Sequence, residues 1–462
     1  MSASKLFKSL YQPKRLIKTY SEHIATSAAV GLDRIRPTNF QRNLNSEVKG
    51  ICERVASGNY KFTAFKQKLI SKGALSVPRC ISIPTVRDRI TLRVMCDFLH
   101  KLYLDLNSEI PQVKIASLKL ILDSNLYNSF IKIDLSSFYT SIEQQILLTT
   151  LNKKIRKKEI LSLIKKAIQT PTVADGKSAK TLNQQGVPQG LAISNILAEI
   201  FISGFDKEMK TIPNIYYQRY VDDILILCND DVADSIVAKA FAELELLKLK
   251  PHPIDSGESK SVKGSLSKSF DYLGYRVEPN KNIALTESKI GVRSSTIGKF
   301  EGAIAKIFTT YRYQLTHSES PTQKTRAERI CEWRLNLRIT GCIFEGRRLG
   351  WIFYFSQVNT TTPLRTIDST IDSLLRRFSL KGKIKVKSLV KAFYETQRRI
   401  KTSHKYIPNF DNMTIREKRD ILARFLVTSE ISHYNDERIE YLFKMRIGAL
   451  VKELEKDLQG FS

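Results

Sequence analysis

The sequence predicts an α+β fold whose C-terminal third is mainly helical. Three observations lead there. Strand-sized apolar runs, FIKID (130–134), IYYQRY (215–220) and ILILC (224–228), are interleaved with helical segments before residue 285. One such segment sets Ile193, Ile196, Leu197, Ile200 and Phe201 on a single face at i, i+3, i+4, i+7 and i+8. Beyond residue 285 the helical period dominates, broken at SESPT (318–322) and TTTP (360–363).

The elements follow in order. Residues 1 to about 75 read as basic helices, with a turn and helix start in GLDRIRPTNF (31–40). ISIP, within PRCISIPTVRDRITLRVM (78–95), is a short strand feeding a helix. FIKID ends on Asp134, and Thr140-x-x-Glu143 has the form of a capping box opening the next helix. Residues 170–190 predict a hairpin turning at Asp175-Gly176 and running into a Gly-Val-Pro-Gln-Gly loop. Val221-Asp222-Asp223 bends between the two strands that follow.

Composition narrows the function. The 462 residues carry 75 Lys+Arg against 46 Asp+Glu, a net charge of +29, with 42% apolar residues. That excludes wholesale disorder and points to an acidic polymer as partner, with nucleic acid the leading candidate. No apolar stretch reaches the roughly 18 residues of a membrane span, and the N-terminus lacks the form of a secretory signal. The six cysteines are scattered singly, which argues against a disulfide framework or a structural zinc site and fits a reducing cytosol. A cytoplasmic location with no membrane partner is the expectation.

Asp222 and Asp223 lie between two strongly apolar strands, and Asp134 ends another. Unpaired carboxylates there are costly, whereas hard oxygen ligands at adjacent strand ends are what a pair of Mg²⁺ ions needs. A solvated Asp-Asp turn is the bland alternative.

In this context YVDD (220–223) resembles the catalytic motif of reverse transcriptases. IKIDLSSFYTSI (131–142) is similar to the palm motif bearing the first metal ligand, and QGVPQGLAISNILAEIF (185–201) to the Gly-x-Pro-Gln-Gly motif and its helix. Lys260 in SGESKSVKG, the SFDYLGYRV hairpin (269–277) and PRCISIPTVRDRI (78–90) resemble the later lysine motif, the primer grip and the fingers. The resemblance covers roughly 25–285 and is closest to the prokaryotic group II intron, retron and abortive-infection or defence-associated lineage. It implies a right-hand polymerase: an N-terminal extension and fingers over 1–130, and an antiparallel palm over 131–285 with a fingers insertion at about 150–183. A helical thumb and C-terminal appendage would occupy 286–462.

Residue by residue, the resemblance makes Asp134, Asp222 and Asp223 the metal-binding carboxylates, helped by the Leu135 carbonyl, for two Mg²⁺ with Mn²⁺ as an alternative. It places Tyr139 at the steric gate, with Phe138 as the competing occupant. Arg79, Gln189, Gly190 and Lys260 would contact the nucleotide, and Leu273 and Gly274 would grip the primer. Arg79, Arg87 and Arg89 read equally as surface arginines. Thr140 and Asn195 depart from the common pattern.

The implied partners are an RNA template, a DNA product and dNTPs, with a noncoding RNA in anti-phage defence as the setting and a homo-oligomer or partner protein as further expectations. Template-independent or protein-primed synthesis, and a catalytically silent RNA-binding scaffold, stay open. Residues 376–405 hold eleven Lys/Arg and one acid, so Lys383, Lys385, Lys387, Arg398 and Arg399 are candidate nucleic-acid ligands on basic helices. Arg399-x4-His404 also matches an RNase spacing. The aromatic-rich 339–359 reads as core, and the remaining histidines, His252 among them, show no ligand spacing.

Overall fold

The computed structural model describes residues 2–71, 77–106, 109–176, 181–254, 260–280, 287–398, 406–426, 431–456 and 458. They form two compact units. One comprises residues 1–109 and 127–265, the other 110–126 and 266–462. The segment 110–126, counted with the fingers in the sequence reading, thus belongs to the second unit.

In the first unit, helices α1 (Ala3–Leu10), α2 (Pro13–His23), α3 (Pro37–Phe40) and α4 (Leu44–Ala56) precede strands β1 (Phe65–Ile70) and β2 (Arg79–Ile83). Prolines open α2 and α3 at their first turns, where a missing N–H costs nothing. Strand β1 has no sequence warning, because FKQKLI is half polar and its last three residues are exposed. Thr85 caps α5 (Val86–Leu102) through the Asp88 backbone N–H. Buried Asp88 also accepts from Tyr60, Thr63 and Thr85 and ties the cap to the β1 approach.

The central sheet is β3 (Ser129–Asp134), β5 (Tyr216–Tyr220), β6 (Asp223–Cys228) and β7 (Val262–Ser265) in the antiparallel order β5-β6-β3-β7. Ile131, Ile133, Ile224, Ile226 and Cys228 bury the same face, in one core with α10 (Ser194–Thr211) and its Ile196, Leu197, Ile200 and Phe201. The period-2 alternation of the strands and the 3.6 period of the helix meet there. Helices α7 (Phe138–Ser141), α8 (Gln144–Lys154), α9 (Lys158–Gln169) and α11 (Asp230–Leu246) complete the unit.

Two local expectations change. Thr140 caps nothing: its hydroxyl returns to the Ser137 carbonyl, and Glu143 itself caps α8. A one-turn α7 intervenes because Ser137 adopts φ 52°, turning the chain before the longer helix can start. The hairpin at 170–190 is absent among the described residues. Instead β4 (Thr172–Val173) adds in parallel to β1, and Asp175 pairs with Lys66 at 2.7 Å. That cation lies far away in sequence, so no local pattern signals it.

The second unit holds α6 (Pro111–Asp123) and a three-stranded sheet of β8 (Phe270–Tyr272), β9 (Tyr275–Glu278) and β10 (Lys289–Val292). Leu273 and Gly274 both have positive φ, 49° and 79°, as the twist of a two-residue hairpin requires. Helices α12 (Ser294–Thr316), α13 (Pro321–Thr340), α14 (Trp351–Tyr354), α15 (Thr362–Arg377), α16 (Leu389–Thr396), α17 (Ile415–Leu422) and a C-terminal helix, Asp436–Lys456, follow. SESPT becomes the capping box of α13 at Ser320, and TTTP the start of α15. Phe344, Trp351, Phe353 and Phe355 are buried, as read from sequence. The six cysteines are free thiols, and no described helix is long and apolar enough to cross a membrane.

Candidate active site

Strand register brings the acidic residues together. Asp134 ends β3 directly opposite Asp223, the first residue of β6, so the two Cα atoms are about 5 Å apart and both side chains leave the same face. Asp222 sits on the adjoining turn, where its carbonyl accepts from the Leu135 N–H at 3.4 Å. The turn is strained: Val221 has φ 56°, rare for any residue but glycine and a clear outlier for a β-branched one.

An arginine that the sequence reading passed over spans that strain. Arg219 on β5 is buried and donates from Nη1 to the Val221 carbonyl at 2.7 Å. The same guanidinium grips Asp206 through Nε and Nη2 at 2.8 and 2.7 Å, and Glu199 at 2.6 Å, both carried by α10. Burial alone would push the Asp206 carboxyl up, but the hydrogen bonds and charge of Arg219 hold it below its ordinary value. A planar fork with several donors can serve two carboxylates and a carbonyl at once; an ammonium cannot. The i, i+7 spacing of Glu199 and Asp206 was the available signal.

The catalytic candidates are less well supplied with cations. Burial, then the charges of Asp222 and Asp134, drive the Asp223 carboxyl up to about 7, against the opposing pull of Lys132. Lys132 Nζ lies 3.7 Å from it. Burial also raises Asp222, whose Oδ1 is buried with no hydrogen-bond partner. Asp134 Oδ2 faces Lys260 Nζ at 3.7 Å and His252 Nε2 at 3.3 Å. His252, dismissed for lack of ligand spacing, therefore belongs to the site: its N–H also donates to the Asp134 carbonyl at 3.0 Å.

The chemistry of this donor set fits hard divalent cations: three carboxylates at one sheet edge, one with an orphaned oxygen. The side chains are not gathered as ligands, however. Among the described residues no three His, Cys, Asp or Glu form a group that could hold a metal ion. Asp134 and Asp223 are instead turned to Lys260, His252 and Lys132.

The remaining predicted contacts divide. Phe138 is buried in the core, while Tyr139 is half-buried beside Asp222 and donates its hydroxyl to Asn195 at 2.9 Å. Arg79, at the start of β2, is close enough for its charge to act on both Asp222 and Tyr139. At Gly190 the missing Cβ serves the protein itself. With φ 97°, a methyl there would fall 2.6 Å from Ile81 Cγ2, and the neighbouring Gln189 carbonyl accepts from the Ser82 N–H at 2.7 Å. Gly186 likewise packs against the Thr140 backbone. The Gly-Val-Pro-Gln-Gly loop is therefore clamped between α7 and β2.

In the second unit, the Leu273 side chain is buried, its carbonyl accepts from the Tyr354 hydroxyl at 3.1 Å, and the Gly274 carbonyl accepts from the Arg293 N–H. Lys383 and Lys385 are exposed on a loop, not on the helix expected of them, because Gly382 at φ 81° and the extended backbone before Ser388 break it. Lys387 is withdrawn from any nucleic-acid face: it donates to the Tyr406 carbonyl and lies over that ring at 5.0 Å. Exposed Arg398 pairs with Glu395 at 3.1 Å. Arg399 and His404 lie outside the described residues.

The fold so built is the right-hand polymerase class, with the antiparallel sheet as its palm. Residues 70–277 match the family model described as reverse transcriptase (RNA-dependent DNA polymerase). That stretch contains Arg79, Asp134, Tyr139, Gln189, Gly190, Asp222, Asp223, Lys260, Leu273 and Gly274. The COX1/OXI3 intron 2 protein of Saccharomyces cerevisiae is 26% identical over 158 residues, which are 33% of this chain and 18% of that protein. Protein YkfC of Escherichia coli is 25% identical over 218 residues, 44% of this chain and 56% of that one. The chain thus spans less than two thirds of either relative. A telomerase of Candida albicans, solved with a fragment of telomeric RNA, aligns at a TM-score of 0.41 and 15% identity, over 91% of this chain and 67% of its own.

Two outcomes follow from these charges. Removing Arg219 as Arg219→Met leaves Asp206 and Glu199 buried without their cation and should cost about 3–5 kcal/mol in denaturant unfolding. Asp223 holds its proton to higher pH in the native state than in the unfolded chain. The Asp223 contribution to stability in EDTA should therefore fall as pH rises from about 4 to about 7 and stay level above. Asp223→Asn should abolish that slope and raise stability at pH 8 by on the order of 2 kcal/mol, read by thermal unfolding across pH.

Proposed function

We propose that the chain is an RNA-directed DNA polymerase that adds dNTPs to a 3′-hydroxyl on an RNA template. The observation that carries this is the strand pairing of Asp134 with Asp223 beside the strained turn that presents Asp222. It delivers three carboxylates, from places 88 residues apart in the chain, to one edge of a sheet whose family match is to reverse transcriptases. Asp134, Asp222 and Asp223, with the Leu135 carbonyl, would hold the two Mg²⁺ ions, and Mn²⁺ could replace them. When bound, such cations activate the 3′-hydroxyl and stabilise the leaving pyrophosphate.

The chain's own residues supply the rest. Tyr139, anchored to Asn195, bounds the pocket next to Asp222 with a ring that a 2′-hydroxyl would meet. Arg79 offers a planar cation suited to triphosphate oxygens, and Gln189 holds the loop behind it against β2. Lys260, largely exposed beside Asp134, can give a proton to pyrophosphate as it leaves. The setting we propose is a cytoplasmic defence enzyme acting with a noncoding RNA and, in that role, a further protein or a second copy of the chain. The charge of +29 and the resemblance to prokaryotic defence-associated members support it.

Primer extension on an RNA template with Mg²⁺ tests the reading. Asp222→Asn with Asp223→Asn should lower the rate at least about a thousandfold with the fold intact; an unchanged rate would remove the catalytic assignment. Sequencing the products made with and without added RNA separates templated from template-independent synthesis. Tyr139→Ala should raise incorporation of rNTPs relative to dNTPs, on the order of 10–100-fold in kcat/KM ratio.

A further inference from the structure

The second unit carries a concentration of cations that nothing described so far uses. A cleft of about 220 Å³ opens between α12, α13 and the C-terminal helix. Ile307, Leu337 and Leu450 give it an apolar floor, while Lys306, Arg334, Arg338 and Lys456 line it against, among the described residues, a single acid, Glu453. The local balance is 4 − 1 = +3. A solvated surface would spread such charges apart; here they are gathered in a concavity, where lower dielectric makes their repulsion expensive.

Two further observations mark the cleft as incomplete by itself. Arg334 Nε is buried with no hydrogen-bond partner, a donor that the protein leaves unmatched. The crowding also extends along the helices. Arg326, Arg334 and Arg338 recur at i, i+8 and i+12 on α13, a row about 18 Å long. Arg446, stacked on the Phe425 ring at 4.5 Å, is held below its ordinary value by burial and by the charges of Arg334 and Arg326. Arg326 is fixed in place by the Arg424 and Phe425 carbonyls. An arginine fork with an unmet donor, as at Arg334, suits recognition of phosphate oxygens. A row of that length meets several consecutive phosphates, which along one duplex strand are spaced roughly 3.4 Å apart.

We propose that this cleft is a phosphate-binding site, in which Lys306, Arg334, Arg338 and Lys456 hold phosphate groups of a nucleic-acid strand or of a free polyphosphate. It differs from the 376–405 segment that the sequence singled out, and it stands whether or not the palm is catalytic.

The test is binding by the full chain in EDTA, where no polymerisation occurs, so failure here is distinct from failure of the polymerase reading. Anisotropy of a fluorescein-labelled single-stranded RNA is followed across a KCl series, with and without sodium tripolyphosphate as competitor. The variant is Lys306→Gln, Arg334→Gln and Lys456→Gln together. The control is Lys5→Gln, Lys8→Gln and Lys14→Gln, with the same loss of charge on exposed residues of the other unit. Thermal unfolding confirms that both are folded.

For a strand-bound site, the cleft variant weakens RNA binding about tenfold or more and reduces the salt slope by about 2, while the control stays within about twofold. For a free polyphosphate, tripolyphosphate binds the wild type with a stoichiometry of one and loses that binding in the cleft variant, with the RNA slope unchanged. If the cleft variant binds both probes as the wild type does, or the control loses as much as the cleft variant, the proposal is overturned.

Discussion

The first unit is organised around too few positive charges at one edge of its central sheet. Asp223 is buried and Asp222 half-buried where apolar strands converge, and burial with mutual repulsion lifts both carboxyls above their ordinary range. Lys132 offsets part of this from 3.7 Å on Asp223, while His252 and the largely exposed Lys260 lie against Asp134 at 3.3 and 3.7 Å. Protein interiors tolerate such a deficit where something else completes the charge balance. A hard divalent cation, as proposed for this site, would do so through the same oxygens that are left unmatched.

Holding that edge requires a rigid support. The left-handed Val221 stores strain of about 1–3 kcal/mol, and Arg219 absorbs it by joining the Val221 carbonyl to two acids of α10. The carboxylates beneath the turn are hydrogen-bonded to one buried guanidinium, while Asp222 on the turn keeps a buried oxygen unmatched. The helix that follows the Gly-Val-Pro-Gln-Gly loop therefore performs two tasks. Its apolar stripe builds the core, and its acidic pair, through Arg219, fixes the Val221–Asp222 turn from behind. The loop itself is locked by Gly186 and Gly190, whose missing side chains let α7 and β2 approach.

The α12–α13 cleft of the second unit shows the opposite local imbalance, with cations outnumbering the acids that line it. That surplus is arranged unevenly. Lys387 is consumed by Tyr406, and Arg398 by Glu395, so part of the basic run conspicuous in the sequence is structural. The α13 row is interrupted in sequence by Glu328 and Glu332, so it draws little notice in one dimension. Linear charge density is a poor guide to surface potential, because a helix brings every third or fourth residue to one face and a loop does not.

The sequence by itself determined the palm. Apolar strands, the stripe of α10 and the acidic residues at strand ends follow from periodicities of 2 and 3.6 that short-range physics enforces, and the Leu273-Gly274 turn follows from hairpin twist. What it did not determine was set by distant partners. Strand β1 gains its place from β2 and β4, and His252 reaches Asp134 across 118 residues of chain. The α7 turn depends on Ser137 adopting a conformation that no propensity favours. Arg219 could be read as one more arginine in a basic chain until burial stripped its water and left two carboxylates and a carbonyl as its only company. Tertiary structure decided these points because the energy of a charge or a strained residue is fixed by what surrounds it in space.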